Sequence, residues 1–377
     1  MNNESKVFIP VSQPYIGIEE EENIKQAMKE KAISGFFGEF LIKFEEKFAG
    51  YIGTKYAISC SSGTTAIHLA LASLSFKQGD EILIASLTNM ATFFPALILG
   101  LKPIPVDIEP DTLNINPALI EKLVTAKTRA IIVVHLFGHP VDMDPILEVA
   151  KKYSLVVIED CAQAHGATYK NKKVGSIGDI GCFSFYANKI ITTGEGGMIT
   201  TNKEEIYLKA KSLKSLAFGA KNKFMHSDIG YNFRMTNIQA AIGCAQLEKI
   251  HYIIERKRAN AQYYTDQFKY VRSLQLPVEK SYAHNVYWMY HVALQGEYFR
   301  MRPEVMEQLK QLGIETREGF VPYNMQEFAL SKGWVNGEEC PRANDYASRC
   351  FYLPSSPSLS SEELEYVAKS LKSIVNG

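Results

Sequence analysis

The stretch AIIVV (residues 130–134) is an unbroken apolar run in which four of the five residues are β-branched. Such a run is typical of a strand that is buried on both faces, as in a parallel sheet covered by helices. Similar short runs recur between helix-like stretches, and together they predict strands at 56–60, 81–85, 104–107, 130–135, 155–159, 181–186 and 198–201. The sequence therefore predicts an α/β domain with a mostly parallel, seven-stranded sheet.

The sequence on either side of this region predicts helices and a second, smaller unit. Apolar residues at helical spacing indicate helices within 19–31, 40–51 and 238–268, and residues 286–294 read as a strand. Ser360 and Glu363 form a capping box before a last amphipathic helix. We expect a large domain over 1–250, including the N-terminal helices, and a smaller α+β domain over 251–377.

Composition excludes several classes of protein. The 377 residues include 41 Lys plus Arg and 41 Asp plus Glu, so no net charge draws the chain to nucleic acid or to an anionic membrane. The six cysteines form no CxxC pair, which argues against a zinc site and a disulfide framework. No apolar stretch approaches the roughly 20 residues of a membrane span. We therefore expect a soluble, cytoplasmic protein that binds no metal, nucleic acid or membrane.

The segment SSGTT (61–65) follows the first predicted strand and opens an apolar helix. Hydroxyl groups and free backbone N–H groups at the positive end of a helix form a good phosphate site. A Ser/Thr cap in an ordinary βα turn has the same sequence. The segment alone leaves both interpretations open.

The segment IEDCAQAHG (158–166) ends a predicted strand with a carboxylate, where an open α/β sheet has its ligand crevice. At that place Asp160 can keep a ring nitrogen protonated. Its alternative role is to cap a turn, and the alternative for His165 is a packed structural histidine.

The segment FSFYANK (183–189) brings one lysine out of an apolar strand into a loop rich in glycine. Burial lowers the pKa of an amine and favours the neutral form, which a Schiff base with a carbonyl compound requires. A lysine whose stem packs while its amine reaches solvent is the alternative. Phosphate turn, carboxylate and lysine are together the three anchors that pyridoxal phosphate needs.

With these residues the sequence resembles the sugar aminotransferases of the DegT/DnrJ/EryC1/StrS family, which are fold type I pyridoxal phosphate enzymes with an aspartate aminotransferase-like fold. The resemblance covers nearly the whole chain. It is carried by SSGTTAIHLALA (61–72), VVHLFGHPVDMD (133–144), VIEDCAQAHGA (157–167), GSIGDIGCFSFYANKIITTGEGGMITTN (175–202) and GYNFRMTNIQAAIGCAQLE (230–248).

The resemblance implies a role for each matching residue. Lys189 would be the Schiff-base lysine and the acid/base, Asp160 would pair with the pyridine nitrogen, and Gln163 would hydrogen-bond the phenolic oxygen of the cofactor. An asparagine at the position of Asn232 reaches the phosphate in the neighbouring subunit, so the resemblance implies a homodimer with shared active sites. The residues expected at the cofactor of the same subunit are Ser62, Gly63, Thr64, Asn89, Asp160, Gln163, Ser184 and Lys189.

The substrate residues implied by the resemblance are less uniform. Arg234 and Arg317 are candidates for the sugar nucleotide or the donor carboxylate, because guanidinium suits both anions; surface ion pairing is the alternative. The further candidates are His226, Tyr323 and Asn324. The chain departs from the family pattern at Asn89, where relatives usually have an aromatic residue against the cofactor, and at Glu318 and Asn324, where proline and histidine are common.

The resemblance implies a ping-pong transamination with glutamate as amino donor. NKIITTGEGG (188–197), NVYWM (285–289), GIETR (313–317) and LPSSPSLS (353–360) point to the members that aminate GDP-4-keto-6-deoxymannose. The alternatives are another nucleotide-linked 4-keto or 3-keto sugar, a dehydratase, which has histidine where Lys189 stands, and a non-catalytic regulator. A nicotinamide oxidoreductase is disfavoured because no G-x-G-x-x-G turn follows the first strand.

Overall fold

The computed structural model describes residues 8–219, 222 and 224–375. Its strands are β1 (Tyr56–Cys60), β2 (Glu81–Ala85), β3 (Lys102–Val106), β4 (Thr128–Val134), β5 (Val156–Asp160), β6 (Thr168–Tyr169), β7 (Lys172–Lys173), β8 (Ile180–Ser184), β9 (Gly197–Thr201), β10 (Leu274–Gln275), β11 (Ala283–His284), β12 (Tyr290–Leu294), β13 (Arg317–Glu318) and β14 (Cys350–Leu353). Its α-helices are α1 (Ile18–Lys29), α2 (Glu39–Ile52), α3 (Gly63–Ser73), α4 (Phe94–Ile98), α5 (Pro117–Leu123), α6 (Met143–Tyr153), α7 (Glu204–Leu213), α8 (Asn237–Phe268), α9 (Arg302–Gln311), α10 (Glu327–Ser331), α11 (Pro341–Arg349) and α12 (Ser361–Val375).

The central sheet has the strand order β1-β9-β8-β5-β4-β2-β3. β9 runs antiparallel to both of its neighbours, and the other pairs are parallel. In β4, Ala130 and Ile132 pack with residues of α3, whereas Ile131 and Val133 pack with residues of α5 and α6. Burial on both faces explains the unbroken apolar run. The predicted seven-stranded, mostly parallel sheet is confirmed, and each of the seven strands predicted for it agrees with an observed one to within two residues at either end.

The long helix α8 connects the two parts of the chain. It begins with a capping box formed by Thr236 and Gln239 and packs against α1 and α2. It continues without a break through Ile250, and near its end Tyr264 and Phe268 enter the core of the smaller sheet. Because α8 contributes to both cores, no element boundary marks the expected division at 250, and that division stays a prediction.

The smaller sheet is antiparallel, with the order β10-β12-β14-β13. Ile9 forms a parallel bridge with Ile314, so the start of the described chain packs on this part of the molecule. The strand expected from residue 286 begins only at Tyr290. Tyr287 has a φ of 47°, and the N–H of Trp288 donates to the carbonyl of Phe137 (2.9 Å), which draws this segment away from the sheet.

The directions of the strands in the central sheet determine where a ligand can bind. β1, β2, β5 and β8 run in the same direction, so their carboxyl ends meet at one edge. This is the edge at which open α/β sheets bind ligands. Among the described residues, no helix combines the length and the apolarity that a membrane crossing needs.

Candidate active site

A cavity of about 200 Å³ lies at this edge of the central sheet. Of the nine residues that the sequence predicts at the cofactor, all except Asn232 line it. The lining is Ser62, Gly63, Thr64, Ile67, Thr88, Asn89, Ala91, Thr92, Asp160, Ala162, Gln163, Ser184, Tyr186, Lys189 and Glu195. Two surface grooves of about 460 and 440 Å³ lie beside β13 and along β3 and are lined by none of these residues.

Lys189 reaches the cavity from the turn that follows β8. Its backbone N–H donates to the carbonyl of Tyr186 (2.9 Å), which closes the turn. The amine lies 4.2 Å from the centre of the Trp288 ring, and in the described part of the chain it has neither a hydrogen-bond acceptor nor an ion-pair partner. Burial lowers the pKa of Lys189 to about 8, and the charge of Asp160 acts in the opposite direction. An amine with this pKa is partly neutral near neutral pH and can act as a nucleophile.

Asp160 is the last residue of β5 and is buried in the wall of the cavity. Its carboxylate accepts hydrogen bonds from the hydroxyl of Thr92 (2.8 Å) and the N–H of Ala162 (3.1 Å). Burial raises the pKa of Asp160, whereas these hydrogen bonds and the charge of Lys189 act to lower it. A cationic group placed in the cavity would therefore stabilise the carboxylate.

Gln163 has a fixed orientation. Its Oε1 accepts a hydrogen bond from the backbone N–H of Phe137 (2.7 Å), which leaves its Nε2 free to donate into the cavity. Phe137 adopts a φ of 53°, which residues other than glycine rarely adopt. A strained backbone conformation of this kind persists when the surrounding structure holds it, and it is common at functional sites. The geometry gives Gln163 a donor that suits an oxygen of the cofactor.

The start of α3 and the end of β8 form a cradle for an anion. Ser62 caps α3 by accepting from the N–H of Thr65 (3.1 Å), and the N–H groups of Gly63 and Thr64 have no acceptor within the helix. A Cβ atom on Gly63 would lie 2.6 Å from the Cβ and 3.1 Å from the Oγ of Ser184, so glycine lets the two sides of the cradle meet. Hydroxyl and N–H donors at a positive helix end are suited to a phosphate.

Asn89 lines the cavity, but its side-chain oxygen already accepts a hydrogen bond within its own segment. Its Oδ1 accepts from the N–H of Ala91 (2.9 Å) and caps the 3-10 turn Met90–Thr92. Two cavity residues without a sequence-based prediction, Thr88 and Thr92, lie on the same segment. Because this segment follows the carboxyl end of β2, the sheet pattern alone could have pointed to them.

The predicted substrate residues do not line this cavity. Tyr323 is buried and stacks on Phe93 at 4.2 Å between ring centres. Asn324 is buried with its Oδ1 accepting from Ser86 and its Nδ2 donating to the Gly337 carbonyl. Both side chains therefore hold the fold together where the structure places them, and a role in substrate binding stays a prediction.

Of the remaining candidates, His226, Arg317 and Asn232 are exposed, whereas Arg234 is half-buried. The Nδ1 of His226 donates to the carbonyl of Leu216 (2.7 Å), and Arg317 pairs with Glu315 (3.1 Å). Asn232 is exposed, and the guanidinium of Arg234 lies 4.3 Å from the centre of the Phe36 ring.

A buried cluster behind the site could be mistaken for a metal centre. His135, Glu159 and Cys161 bring possible ligand atoms within 4.8 Å of one another. Glu159, however, accepts from three N–H groups of residues 175–178 at 2.7–2.8 Å. The Nδ1 of His135 accepts from the N–H of Val141 (3.0 Å), so its Nε2 carries the proton and donates to Glu159 (3.1 Å). The cluster is thus a hydrogen-bond network that anchors β5 below the cavity.

His165 lies on the segment that follows β5. It is buried, and its ring packs against Phe183 and Phe185. Burial lowers its pKa to about 3, so the ring is neutral. This placement matches the structural interpretation of His165, although two residues of the cavity lining also act on its pKa: the charge of Lys189 lowers it and the backbone of Ser184 raises it.

The set of side chains fits pyridoxal phosphate. An amine that has no acceptor among the described residues, a carboxylate, an amide N–H and a helix-end anion cradle face one cavity, and each has the chemistry that one part of this cofactor needs. Lys189 would hold the carbonyl carbon, Asp160 the ring nitrogen, Gln163 the ring oxygen, and Gly63 with Ser184 the phosphate.

Comparisons with known proteins agree with this fit. Residues 14–372 match the DegT/DnrJ/EryC1/StrS aminotransferase family. The chain is 41% identical over 365 residues to GDP-perosamine synthase of Escherichia coli O157:H7, covering 97% of this chain and 98% of that protein. It is 42% identical over 318 residues to GDP-perosamine synthase of Caulobacter vibrioides, covering 84% and 85%. The structure of Spr1654 from Streptococcus pneumoniae in its PMP form superposes with a TM-score of 0.93 at 25% identity, covering 98% of each chain. The chain therefore belongs to the DegT/DnrJ/EryC1/StrS aminotransferase family and is a pyridoxal phosphate-dependent sugar aminotransferase.

Proposed function

We propose that this chain transfers the amino group of glutamate to GDP-4-keto-6-deoxymannose and so forms GDP-perosamine. The observation that carries the proposal is that Lys189, Asp160 and Gln163 face one cavity in a chain that is 41–42% identical to two GDP-perosamine synthases. The lysine also speaks against the dehydratase alternative, which needs histidine at that position.

Lys189 carries the proton in both half-reactions. Bound pyridoxal phosphate supplies a carbonyl group that amines can bind and a ring that takes up the electron pair released from carbon. Lys189 would hold this carbonyl at rest, and its amine would be free for acid–base work once glutamate is bound there. The free amine would move the proton from the α-carbon of glutamate to the cofactor and, in the second half-reaction, a proton from the cofactor to C4 of the sugar. Acid–base catalysis of this kind is typically worth about 10²–10⁴-fold in rate.

The other cavity residues orient the reacting groups. Asp160, oriented by Thr92 and Ala162, would keep the ring nitrogen protonated, and a positive nitrogen beside it would offset the effect of burial on the carboxyl pKa. Gln163, oriented by the N–H of Phe137, would donate to the ring oxygen, and the cradle at the start of α3 would bind the phosphate. Each residue therefore acts on a different part of the cofactor.

A homodimer with shared sites is part of the proposal. Residues 33–37 and 224–229, which we call the loop patch, expose Phe37, Phe224 and Ile229 by 72%, 79% and 82%. The two segments are connected through Phe218, whose ring contacts those of Phe36 and His226. Exposed apolar groups that lie together in this way indicate an interface. Arg234 lies on a ring of this patch, and Asn232 is close to it in sequence. A second copy that covers the loop patch would bring Asn232 towards the phosphate of its partner.

Absorption spectroscopy tests the reaction. We expect the visible absorbance of the bound cofactor to fall when glutamate is added and to return with GDP-4-keto-6-deoxymannose, and mass spectrometry to identify the amino sugar. UDP- and dTDP-linked 4-keto sugars serve as competing acceptors. A fall without a return would reject this acceptor and keep the aminotransferase, whereas no response to glutamate would reject the transamination itself.

Subunit mixing tests the shared site. We expect Lys189→Ala and Asn232→Leu to be inactive separately. Mixed after unfolding and refolding together, they should regain roughly a quarter of wild-type activity, because half of the dimers are mixed and one of their two sites has both residues. No recovery, with dimers present by light scattering, would contradict the sharing of sites.

A further inference from the structure

We propose that Trp288 is a positioning residue for Lys189, and that its indole ring directs the amine and favours its protonated form. The inference rests on the proposed role of Lys189 and extends it to a residue of the C-terminal part of the chain. Trp288 does not line the cavity, and the segment NVYWM (285–289), which contains it, bears in the sequence only on the choice of substrate.

The indole of Trp288 holds the lysine at two points. Its ring face lies 4.2 Å from Nζ of Lys189, and its Nε1–H donates to the carbonyl of Asn188 (2.6 Å). The first contact is a cation–π interaction with the amine, which is stronger when the pair is shielded from water. The second fixes the backbone of the residue immediately before the lysine. Trp288 is 2% exposed, so its own position is fixed by packing.

The backbone of Trp288 is tied to a second cofactor residue. Its N–H donates to the carbonyl of Phe137 (2.9 Å), and the N–H of Phe137 donates to Oε1 of Gln163 (2.7 Å). The rings of Phe137 and Trp288 are nearly parallel, with an angle of 13° between them. One short chain of contacts thus runs from Gln163 through Phe137 and Trp288 to Lys189, and it fixes the two sides of the cavity relative to each other.

The ring affects the two forms of the amine differently. Its face attracts the ammonium but has little attraction for the neutral amine, so it stabilises the form that exists after Lys189 has accepted a proton. In the described part of the chain the amine has no acceptor that could do this instead. Asp160 is the charged group that raises the Lys189 pKa in the same direction. Without the ring, the amine should be less basic and less well aimed.

The first test measures the amine itself, in the full-length protein stripped of cofactor. The rate at which acetic anhydride acylates Lys189, followed by peptide mass spectrometry across pH, gives its pKa. We expect Trp288→Leu to lower this pKa by about one unit, the size of a shielded cation–π contact, and Trp288→Phe, which keeps an aromatic face, to restore most of it. An unchanged pKa in Trp288→Leu, or a rise towards 10.5, would overturn the proposal, since a rise means that the ring acts by excluding water.

The second test measures the proton transfer. We expect Trp288→Leu to lower kcat at least tenfold with little change in the KM for glutamate, and to increase the kinetic isotope effect of glutamate deuterated at its α-carbon. A parallel loss of kcat and cofactor affinity without a larger isotope effect would mean a merely structural role. The matched control is Trp334→Leu, because Trp334 is half-exposed and lies 5.3 Å from Lys332, so it removes a similar contact at the surface.

A third measurement separates this inference from the proposed function. Borohydride reduction of the holoenzyme, followed by peptide mapping, identifies the lysine that carries the cofactor. Cofactor on another lysine would reject the proposed site as a whole. Cofactor on Lys189, together with an unshifted pKa in Trp288→Leu, would reject the positioning role alone.

Discussion

Two lysines withdrawn from water contact opposite parts of the same tryptophan. Lys189 places its amine over the Trp288 ring, whereas Lys257, in the middle of α8, donates to the Trp288 carbonyl (3.0 Å) and to the Ser355 carbonyl (2.7 Å). Burial lowers the pKa of both, to about 8 and about 7. A lowered pKa alone therefore does not distinguish them.

The difference lies in what each amine has to bind. Lys257 is 3% exposed and has two carbonyl acceptors, so it joins α8 to the segments at 288 and 355. Lys189 faces a cavity and has no acceptor among the described residues, so its lone pair is available to a carbonyl compound. The comparison teaches that a reactive lysine is recognised by an unused amine beside open space, in addition to its pKa.

The largest expected effect is the loss of turnover when Lys189 is replaced. Lys189→Ala and Lys189→Arg should lower turnover by at least about 10³-fold, because each removes the group that moves the proton. Lys257→Met should keep turnover within about tenfold of wild type. Release of 2-oxoglutarate from glutamate measures both, and circular dichroism checks the fold. Measurable turnover close to wild type in either Lys189 variant would refute the assignment.

Asp160 is the next group to test. Burial lowers the pKa of both lysines, and at Lys189 the charge of Asp160 acts against this effect of burial. Asp160→Asn should lower kcat by about 10²–10³-fold, since an amide cannot pair with a protonated ring nitrogen. It should also lower the Lys189 pKa in cofactor-free protein. Thr92→Val is the matched control, because it removes one hydrogen bond of Asp160 and keeps the charge. An equal loss in both variants would show that orientation, not charge, matters.

For Lys257 we expect pH to affect the stability of the fold and not the rate of the reaction. Its pKa is about 7 in the folded chain and about 10.4 in the unfolded chain, so between these values the unfolded chain binds more protons. The free energy of unfolding should therefore rise with pH in this window, by up to about 1.4 kcal/mol per pH unit relative to Lys257→Met. Urea unfolding of cofactor-free protein at pH 7.5, 8.5 and 9.5, at one protein concentration, measures the difference. A difference that does not change with pH, as expected for the exposed control Lys332→Met, would contradict it.

The sequence predicted the Lys189 side of this comparison better than the Lys257 side. Lys189, Asp160 and the SSGTT turn follow strands whose apolar runs are easily recognised, and the carboxyl ends of parallel strands must meet at one edge. The burial of Lys257 is also visible in the sequence, as helical spacing. Lys257 lies on the same helical stripe as Ile250, Ile253 and Tyr264, which are buried, so its burial could have been inferred from spacing.

The contacts of Trp288 and Asn324 could not be predicted in this way. Trp288 reaches Asn188 across 100 positions of the chain, and Asn324 reaches Ser86 across 238. Such pairs depend on how the C-terminal part packs on the central sheet, and no local spacing encodes that packing. The resemblance identified the segment that contains Tyr323 and Asn324, but which side chains turn inwards is decided by tertiary structure.

The smallest expected effect concerns the open space beside Lys189. Gly63→Ala would place a Cβ 2.6 Å from the Cβ of Ser184 and push the two sides of the phosphate cradle apart. We expect the Kd for pyridoxal phosphate to rise about tenfold, the equivalent of roughly one weakened charge-assisted hydrogen bond. Fluorescence titration of cofactor-free protein measures this, and Gly50→Ala, where nothing lies within 4 Å of the new Cβ, is the control. If both variants bind pyridoxal phosphate as tightly as the wild type, the cradle does not hold the phosphate. The difference between Lys189 and Lys257 would then lie in the unused amine of Lys189, and not in a phosphate site beside it.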